Sequence, residues 1–239
     1  DREKVRAAGF DSVYAKRGGS MSSGGVQFDE FIVYDMRQAL PRYIVHFGGA
    51  GSRGAIARAG PGQSIGGGVR KHELKPQGAT VSLTVEAMHY NQAYAQFTQM
   101  LGGQGHTVKA VEWYENPSLE QRFNRCKSKL QQNDAEVWVF HGCPDASVVP
   151  KIMTEGFKVA GVDDGVPIRN GAAYGNGVYT ATGPDTPMQY ANVAKCVILA
   201  RAIKGRHGGT SSGDSWSPHG DWIIFKTKEQ LLPVYVVRY

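Results

Sequence analysis

The sequence predicts an α+β fold, on three observations. Short apolar stretches with period-two alternation outnumber stretches with helical spacing. Gly occupies 31 of 239 positions, which supplies many tight turns. Hydrophobic residues at 41% and charged residues at 20% give enough apolar matter for a core, which excludes a disordered chain. No apolar run approaches the ~18 residues of a membrane helix, so no membrane partner is expected. Cys126, Cys143 and Cys196 are scattered and odd in number. They suit neither a disulfide framework nor a metal site, and they point to a reducing, intracellular compartment, cytoplasm or nucleus.

The elements follow in order from Thr80. Val81–Val85 alternates like a short strand. Tyr90–Leu101 places Tyr90, Tyr94, Phe97 and Leu101 on one helical face and stops at Gly102-Gly103. His106–Trp113 alternates as a strand. Asn116-Pro117-Ser118 opens a helix through Leu130, with Leu119, Phe123, Cys126 and Leu130 as its stripe. Glu136–Phe140 is a continuous apolar strand running into His141-Gly142. Asp145 caps a helix Ala146–Thr154 that ends at Gly156. A Gly-containing loop, Val159–Ala173, leads to a turn and short strand, Gly175–Ala181. A helix near Met188–Ala194 precedes the strand Cys196–Ile203. A polar loop, Gly205–Gly220, and two closing strands, Asp221–Phe225 and Val234–Tyr239, complete the chain.

Charge is unevenly placed. Lys+Arg minus Asp+Glu is 27 − 21 = +6. Residues 1–79 carry 12 basic and 7 acidic residues, and residues 80–239 carry 15 and 14. The span 48–79, with five basic residues, Glu73 and a high share of Gly, reads as a basic linker. Within it Gly49-Ala-Gly51-Ser-Arg-Gly54 fits a dinucleotide-loop pattern. A dinucleotide fold needs a helix opening at the third Gly and a second strand after it, and neither follows.

The two ends of the chain resemble each other. Gln38–Phe47 aligns without gaps on Gln230–Tyr239, with five of ten residues identical. Glu30–Tyr34 then falls on Trp222–Lys226, and Asp11-Ser12-Val13 matches Asp214-Ser215-Trp216 before Ser/Gly-rich loops. Residues 1–47 are therefore expected to be the tail of a preceding homologous unit, and 80–239 the main domain.

Two constellations can carry chemistry. The strand-end His141-Gly142 leaves an imidazole at a sheet rim, where Gly permits close approach of a ligand. A strand-end His taken alone more often serves packing. Tyr174-Gly-Asn-Gly177-Val-Tyr179-Thr-Ala181 brings two Tyr near a glycine turn, which suits a ring-shaped ligand on a Tyr face. Tyr190 follows one element later.

In their order and spacing, the helix Tyr90–Leu101, "VEWYENPSLEQRF", "VFHG", "EGF", "YGNGVYTA", "CVILARAIKG" and "LLPVYVVRY" resemble the catalytic domain of the poly(ADP-ribose) polymerase family of ADP-ribosyltransferases. The resemblance spans about residues 80–239. It implies a split β-sheet core with a few flanking helices, and NAD as a substrate held in a cleft between the halves, with no metal. It implies that His141 bonds the ribose hydroxyls and Gly142 the nicotinamide amide. Tyr190 would stack on the nicotinamide, Tyr179 would pack on its ribose side beside Tyr174, and Arg169 in the loop 159–173 could meet the pyrophosphate. It also implies a catalytic carboxylate eight residues before Gln230. Trp222 stands there, with Asp221 adjacent. A Ser expected three residues before Tyr190 is Pro187, with Thr186 next to it. The N-terminal copy does hold the carboxylate, as Glu30 eight residues before Gln38. The expected activity is transfer of single ADP-ribose units to a protein or nucleic-acid acceptor with release of nicotinamide. The alternative is a catalytically silent module binding NAD or ADP-ribose. An Asp221 carboxylate turned into the cleft favours the first; a Trp222 that fills it favours the second.

Overall fold

The structure is a computed structural model that describes residues 12–16, 29–33, 62–75, 84–101, 105–130, 135–163 and 173–239. The chain divides into two units, Asp1–Ile56 and Ala57–Tyr239. In the first, strands β1 (Ser12–Lys16) and β2 (Asp29–Val33) pair antiparallel, from Ser12 opposite Val33 to Lys16 opposite Asp29.

The second unit is built on one mostly antiparallel ten-strand sheet, ordered β3-β4-β5-β12-β8-β6-β7-β11-β10-β9. Its strands are β3 (Gln63–Ser64), β4 (Arg70–Leu74), β5 (Ala110–Glu115), β6 (Glu136–Gly142), β7 (Val178–Ala181), β8 (Cys196–Ile203), β9 (His207–Gly208), β10 (Ser215–Trp216), β11 (Trp222–Phe225) and β12 (Leu231–Arg238). Four helices are present among the described residues: α1 (Val85–Gln99), α2 (Pro117–Lys129), α3 (Val148–Glu155) and α4 (Asp185–Tyr190). Helix and strand lie along the chain in the mixture that α+β implies. No described helix is long and apolar enough to cross a membrane.

The core centres on β8 and β12. Both read as continuous apolar runs, and both are buried along nearly their whole length. Such runs belong to strands flanked on both edges and covered on their faces. Pro233 is tolerated inside β12 because the ladder to β8 shifts register between Pro233 and Tyr235, where a missing N–H costs little. Two buried acids hold the strands laterally. Glu136 meets Lys127 at 2.9 Å and Arg201 at 2.6 Å. Glu112 meets Arg238 at 2.7 Å and accepts from the Tyr114 hydroxyl at 2.9 Å. Burial alone would raise the Glu112 carboxyl, but the Arg238 guanidinium outweighs it and holds the group below the ordinary carboxylate range.

Local signals explain the helix starts. Thr84 caps α1, its Oγ1 accepting from the Ala87 amide at 3.2 Å. Asn116 caps α2, Oδ1 accepting from the Leu119 amide at 3.1 Å. Its Nδ2 donates to the carbonyls of Met153 and Thr154 at 3.1 and 2.9 Å, so one residue starts α2 and ties it to the end of α3. Gly156 ends α3 at φ +93, a left-handed conformation suited to glycine.

Several expectations are corrected. The span 48–79 is not all linker: β4 pairs along its full length with β5, and Val69, His72 and Leu74 are buried. Two of its basic residues, Arg70 and Lys71, lie on β4 opposite the two-residue edge strand β3. Val85 opens α1 rather than closing a strand, because the Thr84 cap overrides the alternation. Tyr90 and Phe97 are buried on α1, whereas Tyr94 is 44% exposed and stacks on Tyr90. The helix expected at Met188–Ala194 runs Asp185–Tyr190. The polar loop 205–220 contains β9 and β10.

Candidate functional site

The site lies where the sheet nearly parts. β6 pairs with β8 from Glu136 to Gly142, but with β7 only through Phe140 opposite Ala181. Beyond Phe140 the ladder between β6 and β7 ends, and the next residue is His141. Its Nδ1–H donates to the Tyr179 carbonyl of β7 at 2.8 Å. That bond leaves Nε2 as a lone-pair acceptor. Burial lowers the imidazole below the ordinary histidine value and outweighs the opposing effect of the carbonyl, so the ring is neutral at physiological pH. Phe157 stands edge-on to it, with ring centroids 5.2 Å apart.

Tyr179 is anchored at both ends. Its carbonyl holds His141, and its hydroxyl donates to the Gly175 carbonyl at 2.9 Å while accepting from the Tyr174 amide at 3.2 Å. The Trp216 indole N–H donates to the Tyr174 carbonyl at 2.7 Å, fixing the same turn from the other side. The glycines of this turn serve packing. A Cβ on Gly177 would lie 2.5 Å from Ile224 Cγ2 and 2.7 Å from the Phe225 carbonyl oxygen, and Gly175 has φ +99. Gly142 is likewise closed to a side chain: a Cβ there would overlap the Pro187 carbonyl oxygen of α4 and come within 2.7 Å of its carbonyl carbon. Glycine at 142 is required by the approach of α4, whatever else its backbone does.

Trp222 is the hub of the aromatic residues. Its ring lies 5.8 Å from Tyr174, 6.0 Å from Tyr179 and 6.3 Å from Tyr190, each nearly perpendicular. His219 approaches it at 4.8 Å. Register explains this. Ile224 faces Tyr179 and Trp222 faces Ala181 across β11 and β7, so alternation puts Trp222 and Tyr179 on one side of the sheet. Tyr174 and Tyr190 are 42% and 43% exposed, leaving ring faces open to a ligand. Asp221 precedes β11 in a turn. Its carboxylate accepts from the Thr186 hydroxyl at 3.3 Å, and its carbonyl accepts from the Thr182 amide at 2.9 Å. Asp221 thus closes the β7–α4 connection.

The structure therefore gathers His141, Gly142, Tyr174, Tyr179, Tyr190 and Trp222 around the β6–β7 seam. Glu30 lies on β2 in the other unit, and Arg169 falls outside the described residues. His219 and the Thr186–Asp221 contact escaped the sequence reading. His219 sits in a stretch whose Gly and Ser content reads only as loop, and Thr186 gains its partner from a distant strand. No protein-family model matches the chain, and no curated protein sequence matches it.

Proposed function

We propose that the second unit is an ADP-ribosyltransferase domain that consumes NAD, releases nicotinamide and transfers single ADP-ribose units to a macromolecular acceptor. The observation that carries this reading is the His141 imidazole, held neutral by burial and aimed by the Tyr179 carbonyl at the one-pair seam of the sheet. Its Nε2 is free to accept from a ribose hydroxyl. The aromatic faces of Tyr179 and Tyr190 suit the flat nicotinamide. In the reaction the bond between the nicotinamide nitrogen and the ribose anomeric carbon breaks, and its electron pair leaves with nicotinamide. An acceptor oxygen then forms the new bond to the cationic sugar carbon and loses its proton. A carboxylate at the Trp222 position would orient the ribose 2′-hydroxyl and stabilise the charge; Trp222 supplies neither, which disfavours polymer growth.

The test is incubation with radiolabelled NAD, following nicotinamide release and label on protein and on nucleic acid, against His141→Ala. Release and transfer that vanish in the variant support the reading. Equal release from both proteins, or none from either, overturns it. The second reading, a silent module that binds NAD or ADP-ribose, is favoured by the ring contacts of Trp222 and the diversion of Asp221 to Thr186. Calorimetric binding of NAD without nicotinamide release would select it.

A further inference from the structure

At the rim of the sheet beyond β11, three side chains form a chain of hydrogen bonds outside the site described above. β9 and β10 run parallel with His207 opposite Ser215. The Ser215 hydroxyl donates to the Lys204 carbonyl at 2.8 Å. With its one proton so placed, Ser215 Oγ can only accept from His207, so the 2.9 Å contact is Nδ1–H donating to Ser215. His207 Nε2 then carries the lone pair, and Ser217 Oγ lies 3.3 Å from it. This is an orienting group, a base and a hydroxyl in sequence, the arrangement that activates an oxygen nucleophile. The backbone keeps the parts in place: the Ser217 amide donates to the Gly208 carbonyl at 2.9 Å. His207 is lowered below the ordinary histidine value, by desolvation first and the Lys204 ammonium second, and is therefore an unprotonated base at neutral pH.

Ser217 also neighbours the aromatic site along the chain. Ser217 is joined through Pro218 to His219, whose ring meets Trp222 at 4.8 Å and Tyr174 at 5.4 Å. Trp216, on its other side, holds the Tyr174 carbonyl.

We infer that Ser217 is an acceptor of ADP-ribose on this chain, with His207 as its general base. The inference rests on the transferase reading and names the acceptor that reading leaves open. Ser217 Oγ bonds to the anomeric carbon of the nicotinamide ribose, the carbon–nitrogen bond to nicotinamide breaks with its electron pair, and the hydroxyl proton passes to His207 Nε2.

The test incubates the full chain with labelled NAD, maps the modified residue by mass spectrometry and measures nicotinamide release in parallel. Label is expected on Ser217, absent in Ser217→Ala, and reduced about 10²-fold in His207→Gln, the size of a lost general base. Nicotinamide release with the label elsewhere overturns the assignment and leaves the transferase reading standing. Failure to release nicotinamide at all overturns both. A fluorophosphonate probe reads the activated hydroxyl without NAD: labelling of Ser217 that falls in His207→Gln supports the base, and labelling equal in both proteins overturns it.

Discussion

The hairpin β1–β2 and the pair β10–β11 are the same device with one decisive difference. Ser12 lies opposite Val33, and Val13 opposite Ile32; Ser215 lies opposite Phe225, and Trp216 opposite Ile224. Residues that align between the chain ends hold the same places in the two pairings. Extending the alignment, Asp29-Glu30 occupies the place of Asp221-Trp222. Asp is common to both copies, so Asp221 is the counterpart of Asp29, and Trp222 is what stands where a carboxylate could. A strand pair thus keeps its backbone pairing while one side chain changes from an acid to the hub of an aromatic cluster. Both copies keep a continuous apolar run, Phe31-Ile32-Val33 and Ile223-Ile224-Phe225, on the paired strand; the chemistry follows the single residue before it.

The largest effect expected from breaking this difference is Trp222→Glu, which gives β11 the residue of β2. On the transferase reading, nicotinamide release rises about 10²-fold, the size of one added electrostatic stabiliser. A rate unchanged from the parent, with the fold intact by circular dichroism, refutes that role for the position.

Next come the packing glycines that let β11 and α4 close on the seam. Gly142→Ala and Gly177→Ala each force a Cβ against backbone, at Pro187 and at Phe225. Each is expected to lower unfolding free energy by about 2–3 kcal/mol in urea denaturation. Parent-like midpoints would mean that the seam is looser than these distances imply.

The comparison requires the second unit to stay folded, and His89 sets its acid limit. His89 is lowered to about 4, by desolvation first and His72 second. It stacks on Trp113 at 3.6 Å, and its Nδ1 lies 2.6 Å from the Tyr235 hydroxyl. The unfolded chain takes up a proton near pH 6.5, and the folded one only near 4. Stability is therefore full above pH 6.5 and falls as pH drops through that window. The loss reaches about 3 kcal/mol, measurable as urea midpoints across pH, and His89→Gln should flatten that limb.

The smallest effect is expected at the first hairpin. Glu30→Gln should leave nicotinamide release within about twofold of the parent, since the proposed chemistry uses none of the groups of β2. A collapse of the rate would mean that the hairpin lends its carboxylate to the second unit.

Much of this was legible along the chain. β8 matches the apolar run Cys196–Ile203 at both ends, and α2 starts at its Asn116 cap, because runs and caps are local and need no distant partner. His141 and Tyr179 were nameable from the sequence, whereas the want of a carboxylate eight residues before Gln230 stood out only against the resemblance. What spacing could not supply was the use made of each residue. β4 looked like linker because its pairing with β5 spans a long separation in sequence. The glycines 142 and 177 looked like room for a ligand, yet they make room for α4 and β11. Asp221 and Trp222 were adjacent candidates for one role. The fold gave them different uses: Asp221, in the turn before β11, bonds Thr186, while Trp222, opposite Ala181, joins the aromatic rings. The sequence by itself determined the central strands, the Asn116 cap and the inventory of reactive groups. The tertiary structure alone decided which groups meet, because hydrogen-bond register and close packing are set between segments that the chain does not place side by side.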